Sequence, residues 1–194
     1  MQSIKIIIAG VGGQGTLVAS KLLGRIFLNE GYDVKVSEVH GMSQRGGSVV
    51  TYVSCGDKVY APIIDEGEAD YLVSFELLEA ARWAGFVKNG GTIITNTQRI
   101  DPMPVILKKA SYPSDILKKL DDFGVKVDAF DAAKVAALAG NHKAVNIVLM
   151  GRLSRYFDFD ESEWKKAIKE SVPEKFLELN MAAWEMGRGE TVGC

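Results

Sequence analysis

The chain has 194 residues, 47% of them hydrophobic and 25% charged, a balance that fits one globular domain with a substantial core and excludes a disordered chain. Its formal net charge of −2 gives no global field toward nucleic acid or anionic membrane, and the lysine pairs at 108–109, 118–119 and 165–166 read as solvated helix faces. Cys55 and Cys194 are too few for a disulfide framework or a four-cysteine metal site, no apolar run approaches ~18 residues, and no signal-peptide design opens the chain, so a soluble cytoplasmic protein is expected.

The first predicted element is a strand at Ile4–Ala9, apolar on successive residues as in a strand covered on both faces. Gly10-Val11-Gly12-Gly13-Gln14-Gly15 follows and opens a predicted helix from Thr16 to Asn29. That helix carries Val18, Leu22 and Ile26 with Ala19, Leu23 and Phe27 on its apolar side, Lys21, Arg25 and Asn29 on the other, and Gly31 as its stop. Further strands are predicted at Val34–Val39, Val49–Ser54, Val59–Ile63, Tyr71–Phe75, Thr92–Asn96 and Val125–Phe130. Ser54-Cys55-Gly56-Asp57-Lys58 reads as the turn of a hairpin joining Val49–Ser54 to Val59–Ile63, an antiparallel excursion on the sheet edge with Cys55 in its turn. From Asp131 onward the pattern is helical: Asp160 and Glu163 read as an acidic capping box, and Pro173 separates the last two helices. The expected architecture is α/β, a Rossmann-like and mostly parallel sheet with helices on both faces, an edge β-hairpin and a helical C-terminal cap. It is read as one domain over 1–194, with an α/β core over about 1–157 and C-terminal helices over about 158–190.

The glycine turn has the spacing of a dinucleotide fingerprint, in which Gly10 permits the tight turn, Gly12 admits a ligand to the backbone and Gly15 lets the helix pack closely. Free N–H groups and the helix dipole there suit an anion, and Glu38, near the end of the next strand, is placed like an acid that bonds a ribose 2′-OH. Two readings stay open on the residues alone: a dinucleotide site, or a turn that solves a packing problem or serves another ligand. Glu38-Val39-His40-Gly41-Met42-Ser43-Gln44-Arg45-Gly46-Gly47 is the least ordinary stretch, a glycine-rich loop on the same sheet edge whose Arg45 can fork onto a carboxylate or phosphate. Its bulk argues against a plain adenosine pocket; the bland alternative is a solvated crossover. His142, before an apolar helix, reads as a helix-start residue, and no metal spacing, nucleophile elbow or histidine–carboxylate pair stands out.

The Gly10–Gly15 turn, the Glu38–Val49 stretch E-V-H-G-M-S-Q-R-G-G-S-V, Ala61-Pro62-Ile63-Ile64 and Asn146-Ile147-Val148-Leu149-Met150-Gly151 together resemble the small subunits of the 2-oxoacid:ferredoxin oxidoreductases. His40-Gly41-Met42 with Gln44-Arg45 is similar to the indolepyruvate (arylpyruvate) branch; the pyruvate and 2-oxoglutarate branches more often carry a Tyr-Gly-x-x-x-Arg-Gly-Gly form. The resemblance implies a chain that holds no cofactor itself and is inactive alone. A large catalytic subunit then carries thiamine diphosphate, Mg²⁺ and iron–sulfur clusters, coenzyme A is the co-substrate and ferredoxin the electron acceptor. It implies an anion or partner turn at Gly10, Gly12, Gly13, Gln14 and Gly15, and an adjoining substrate or partner loop from Glu38 and His40 to Gly47, with Asn146 bonded to one of these turns. A homodimer is a further expectation for the isolated chain, while neither nucleic acid nor membrane is an expected partner. The implied reaction is the oxidative decarboxylation of indolepyruvate and other arylpyruvates to aryl-acetyl-CoA with reduction of ferredoxin. The rivals are a subunit acting on another 2-oxoacid (pyruvate, 2-oxoglutarate or a branched-chain one), a self-contained NAD(P)-dependent oxidoreductase, and a non-catalytic nucleotide-sensing or scaffold module.

Overall fold

The computed structural model describes residues 2–40 and 47–189. Six strands form one sheet in the order β2-β3-β1-β4-β5-β6. They are β1 (Ile4–Val11), β2 (Asp33–His40), β3 (Ser48–Gly56), β4 (Ala69–Ser74), β5 (Val87–Asn96) and β6 (Lys126–Phe130). β1, β4, β5 and β6 run parallel, whereas β3 is antiparallel to both of its neighbours, β1 and β2. The unbroken apolar run of β1 has a simple cause. Ile6 and Ile8 enter one buried layer, Ile7 and Ala9 the other, and all four are fully buried.

One layer contains α1 (Thr16–Asn29), α5 (Ala132–Leu138), α6 (Val145–Ser154), α7 (Glu161–Ser171) and α8 (Leu177–Gly189); the other contains α2 (Leu77–Trp83) and α4 (Ile116–Asp121), with the single turn α3 (Met103–Ile106) in the connection after β5. α1 has the bounds its periodicity predicts. It ends with Gly31 at φ 84° and paired bonds from Gly31 N–H to Leu28 O (3.0 Å) and from Tyr32 N–H to Phe27 O (2.9 Å), a Schellman closure. Trp164, Ala167 and Ile168 of α7 and Ala183 and Trp184 of α8 enter the same core as α1 and α6, so the C-terminal helices complete that layer. α6 and α8 touch backbone to backbone: a Cβ on Gly151 would lie 2.2 Å from Trp184 O, and one on Gly187 would lie 2.2 Å from Val148 O.

Two local expectations are corrected. The hairpin is not Val49–Ser54 with Val59–Ile63; it is β2 with β3, joined by the 41–47 loop, and β3 continues through Cys55 to Gly56. β3 already has a neighbour on each side, so no edge remains for Val59–Ile63, which is not a strand. Pro62, without an N–H, adds a second obstacle, and that segment is tied instead by Ser54 Oγ donating to Pro62 O (3.0 Å) and Val59 N–H to Asp33 Oδ2 (2.8 Å). The Asp160–Glu163 capping box also differs. α7 starts after Asp160, but the Asp160 side chain makes no cap bond, and Glu163 N–H bonds the Asp160 carbonyl at 3.1 Å.

Candidate functional site

β1, β2, β4, β5 and β6 all end on one edge of the sheet, which brings the glycine turn, the end of the 41–47 loop and the strand-end residues Phe75, Glu76 and Asn96 to one side of the molecule. The turn residues do not all face outward. Gln14 folds back: its Oε1 accepts from Val11 N–H (2.7 Å), and its Nε2 donates to Phe75 O (3.2 Å). Gly10 is closely packed, with side-chain atoms of Gln14, Phe75 and Thr16 at 3.0, 3.2 and 3.2 Å from where a Cβ would sit. Gly12 N–H donates to Gly47 O at 2.9 Å, so this amide joins the two glycine-rich stretches and is not free for a ligand. Gly13 (φ 96°) and Gly15 (φ 88°) hold left-handed backbone, and their N–H groups find no acceptor among the described residues. The close neighbour of Gly15 is Asn146, whose Nδ2 donates to Gly15 O (3.4 Å) and would sit 2.9 Å from an added Cβ. Asn146 Oδ1 accepts Ile147 N–H at 2.9 Å, which fixes the amide at the start of α6.

A cleft of about 470 Å³ opens over this turn, between Gly13–Gly15, Gln98 and Ile100 on one side and His142, Lys143 and Val145 on the other. His142 and Lys143 occupy one 3₁₀ turn whose start is capped by Asn141, Oδ1 accepting Lys143 N–H at 2.9 Å. The exposed Lys143 ammonium, with the His142 imidazole, beside the N–H groups of Gly13, Gly15 and the first turn of α1 makes the cleft suited to a phosphate or carboxylate. Lys143 is absent from the residues the sequence singled out, and His142 appears there only as a helix-start residue. They come to the cleft because the α5–α6 connection folds over the glycine turn.

Two further groups organise this edge without having been assigned a role. Asn96 is fully buried; its Nδ2 donates to Phe75 O (3.1 Å), and its Oδ1 accepts Ala132 N–H (3.1 Å), linking the ends of β4, β5 and β6. Glu76, also buried, accepts from Glu79 N–H (3.0 Å), Ile100 N–H (3.0 Å) and Tyr112 O–H (2.6 Å). Burial, with the Glu76 bond as second cause, pushes the Tyr112 hydroxyl well above the usual phenol range, so it remains a donor. Arg99 stacks on Tyr112, 4.2 Å from the ring centroid, and completes the anchor of the 97–115 connection beside the cleft. An acid just after a strand and an Asn at a strand end were the only sequence signals for these roles.

Glu38 lies on β2, separated from β1 by β3. In a dinucleotide fold the acid-bearing strand adjoins the first strand; here two strand spacings, about 10 Å, intervene, and Glu38 is out of place for that ribose contact. His40 ends β2, and Gly47 is placed by its bond to Gly12; Gly41, Met42, Ser43, Gln44, Arg45 and Gly46 lie outside the described residues. Cys55 is not in a turn: it is buried in β3, its Sγ donates to Ile4 O (3.3 Å), and burial pushes its thiol up to about 12. Cys55 should therefore resist alkylation in the native chain at pH 8 and react only on unfolding, as peptide mass mapping after iodoacetamide would record. Rapid native labelling would refute this. Among the described residues, no group of three His, Cys, Asp or Glu side chains is arranged to hold a metal ion, and no helix is long and apolar enough to cross a membrane.

The chain resembles known proteins in sequence and in fold. The chain is 47% identical over 192 residues to the indolepyruvate oxidoreductase subunit IorB of Thermococcus kodakarensis, across 96% of this chain and 95% of that protein. Its fold matches the pyruvate oxidoreductase subunit PORC of Thermotoga maritima with a TM-score of 0.75 at 19% identity, over 98% of this chain and 97% of that one. It also matches the 2-oxoglutarate:ferredoxin oxidoreductase of Magnetococcus marinus, solved with 2-oxoglutarate, coenzyme A and succinyl-CoA bound, with a TM-score of 0.74 at 19% identity. There it covers 97% of this chain and 31% of the longer one. With the pyruvate ferredoxin/flavodoxin oxidoreductase family model matching residues 5–190, the chain belongs to that family, as the small subunit of a 2-oxoacid:ferredoxin oxidoreductase.

Proposed function

We propose that this chain serves the oxidative decarboxylation of indolepyruvate and related aryl 2-oxoacids, together with a larger subunit. The observation that carries the reading is the 47% identity to an indolepyruvate oxidoreductase subunit along nearly the whole of both chains. In the reaction the bond between the carboxylate and the keto carbon breaks and CO₂ leaves. The coenzyme A thiol releases its proton as its sulfur bonds the acyl carbon, and the two electrons left on that carbon by the departing CO₂ pass to ferredoxin. The described residues do not fit a metal ion or cluster. The proposal assigns thiamine diphosphate, Mg²⁺ and the iron–sulfur clusters to the larger subunit, and it gives this chain no acid–base step.

This chain's own part is to bind and orient. The free N–H groups of Gly13 and Gly15 with His142 and Lys143 form a cleft that fits a phosphate group such as those of coenzyme A. Gly47 is held by the Gly12 N–H, and the proposal gives the stretch from His40 to Gly47 the partner- or substrate-facing role. In the Magnetococcus marinus enzyme, a chain about three times as long contains the same fold, which supports a larger partner for this one.

The test is co-expression with the larger subunit and an assay of ferredoxin reduction with indolepyruvate and coenzyme A. Full turnover should require both chains, and Arg45→Ala should lower it at least tenfold or abolish co-purification. Turnover by the larger subunit alone, or unchanged activity in the Arg45 variant, would count against the reading. Micromolar NAD(H) binding by the isolated chain in calorimetry would replace it with a self-contained dinucleotide enzyme.

A further inference from the structure

The edge of the sheet opposite the cleft carries a second concavity, about 240 Å³, beside the first residues of β1 and β4 and the turn that follows α6. Its walls are aromatic. Tyr71 lies 5.7 Å from Tyr156 and 5.3 Å from Phe157 between ring centroids, at 61° and 55°, so these rings meet as a corner and not as a flat stack. Tyr32 and Phe159 close the far side at 6.3 Å and 62°. The rings are held in place before any ligand arrives. Phe157 and Phe159 stack on each other at 5.4 Å and both meet Phe27 of the core edge-on, while the Tyr156 hydroxyl donates to Asp128 at 3.0 Å.

The polar groups narrow the ligand chemistry. Asp70, on one wall, is engaged: Oδ2 accepts Lys5 N–H at 2.7 Å, and Oδ1 meets the Lys88 ammonium. Asp158, next in sequence to Phe157 and Phe159, is exposed and makes no hydrogen bond or ion pair with the described residues; nor do the hydroxyls of Tyr32 and Tyr71. What the cavity offers is therefore aromatic faces, phenol oxygens and one unneutralised carboxylate. The lining carries two carboxylates and no cation; Lys88 and Arg152, which act on Tyr71 and Tyr156, are paired with Asp70 and Asp128, and Arg155 acts on Tyr156 from outside the lining. An organic cation satisfies both the ring quadrupoles and the carboxylate. A metal ion is not matched, since the described residues include no suitable ligand cluster.

We propose that this aromatic cavity binds a small organic cation, an alkylammonium or guanidinium group, over the rings of Tyr71, Tyr156 and Phe157 with Asp158 as its counter-charge. The site is independent of the coenzyme and partner reading for the opposite edge. Its ligand is either a free amine or a lysine or arginine side chain of another polypeptide, and the two share one recognition chemistry.

The experiment titrates the full chain with butylammonium chloride at constant ionic strength, set by sodium chloride, and follows aromatic resonances by NMR. Saturable shifts should be confined to Tyr32, Tyr71, Tyr156, Phe157 and Phe159. Asp158→Asn and Tyr156→Leu should each weaken binding about tenfold, whereas Tyr156→Phe, which keeps the ring, should stay within about threefold of the parent. Asp158 is exposed, so its variant tests the site even if Tyr156→Leu disturbs the fold. Repeating the titration on the co-purified complex separates the sources: amine binding that persists marks a free-amine site, and binding that disappears marks one filled by a basic side chain of the partner. Shifts that do not saturate, that spread over the surface, or that phenylacetate reproduces equally would overturn the proposal, as would an unchanged affinity in Asp158→Asn.

Discussion

Replacing Gly151 by alanine is expected to destabilise the chain by about 3 kcal/mol, lowering the midpoint of thermal unfolding by roughly 6–12 °C. Two effects oppose one another. Alanine is the better helix former by about 1 kcal/mol in a helix interior. Against this, its Cβ would lie 2.2 Å from Trp184 O, 3.0 Å from Arg188 N and 3.1 Å from Trp184 C, all backbone atoms of α8. A backbone cannot rotate aside as a side chain does, so α8 has to move as a unit and the packing of Trp184 and Trp164 moves with it. The loss outweighs the propensity gain. Gly187→Ala meets Val148 O at the same 2.2 Å and should behave alike, while Gly85→Ala, with nothing within 4 Å, should change stability by less than about 0.5 kcal/mol. Differential scanning calorimetry of the three variants decides it. A Gly151→Ala protein as stable as the parent would mean that α6 and α8 are not in backbone contact.

The second large effect is expected at Asn96. Removing its side chain with Asn96→Ala leaves the Ala132 N–H without its acceptor and takes one of two donors from Phe75 O, both in fully buried surroundings. Leaving buried polar groups unpaired costs about 1–3 kcal/mol, and a loss near 2–3 kcal/mol is expected in denaturant unfolding. Because Phe75 O also receives Gln14 Nε2, the glycine turn should loosen with it, and assembly with the larger subunit should weaken in the same variant. Asn96→Asp refines the test. Its ionised form keeps the acceptor for Ala132 N–H but faces the Phe75 carbonyl with no proton, so burial and that oxygen raise its folded-state pKa above the unfolded one. The sign follows: the stability of this variant should be greatest below the unfolded carboxyl pKa and be lost as pH rises through the folded one. Equal stability of the parent and Asn96→Ala, or a pH trend of the opposite sign in Asn96→Asp, would refute the seam described here.

Much of the fold was legible because it is written in local periodicity. The successive apolar residues of Ile4–Ala9 required cover on both faces, the 3.6-residue pattern with Gly31 gave α1 its bounds, and the polar turns placed most strand ends within a residue or two. The two errors around β3 share one cause. Val59–Ile63 has strand-like composition, but β3, its expected partner, has a neighbour on each side, and Cys55 looked like a turn residue only because β3 was expected to stop before it. Strand composition states that a segment can pair; the neighbours decide whether a place exists.

The candidate site divides in the same way. The sequence by itself determined the strand–glycine turn–helix unit, the family resemblance, and the concentration of glycines and polar residues on the carboxyl edge, since backbone geometry there needs Gly13 and Gly15 at positive φ. Only the tertiary structure decided what those residues touch. It set β3 between β1 and β2, which moved Glu38 away from the turn and removed the structural basis of the dinucleotide reading. It spent Gly12 N–H on Gly47, turned Gln14 inward, and brought Asn146, His142 and Lys143 from more than a hundred residues along the chain to the same cleft. Hydrogen bonds and charge contacts depend on distance in space, and no one-dimensional pattern encodes that distance once a sheet has reordered its strands.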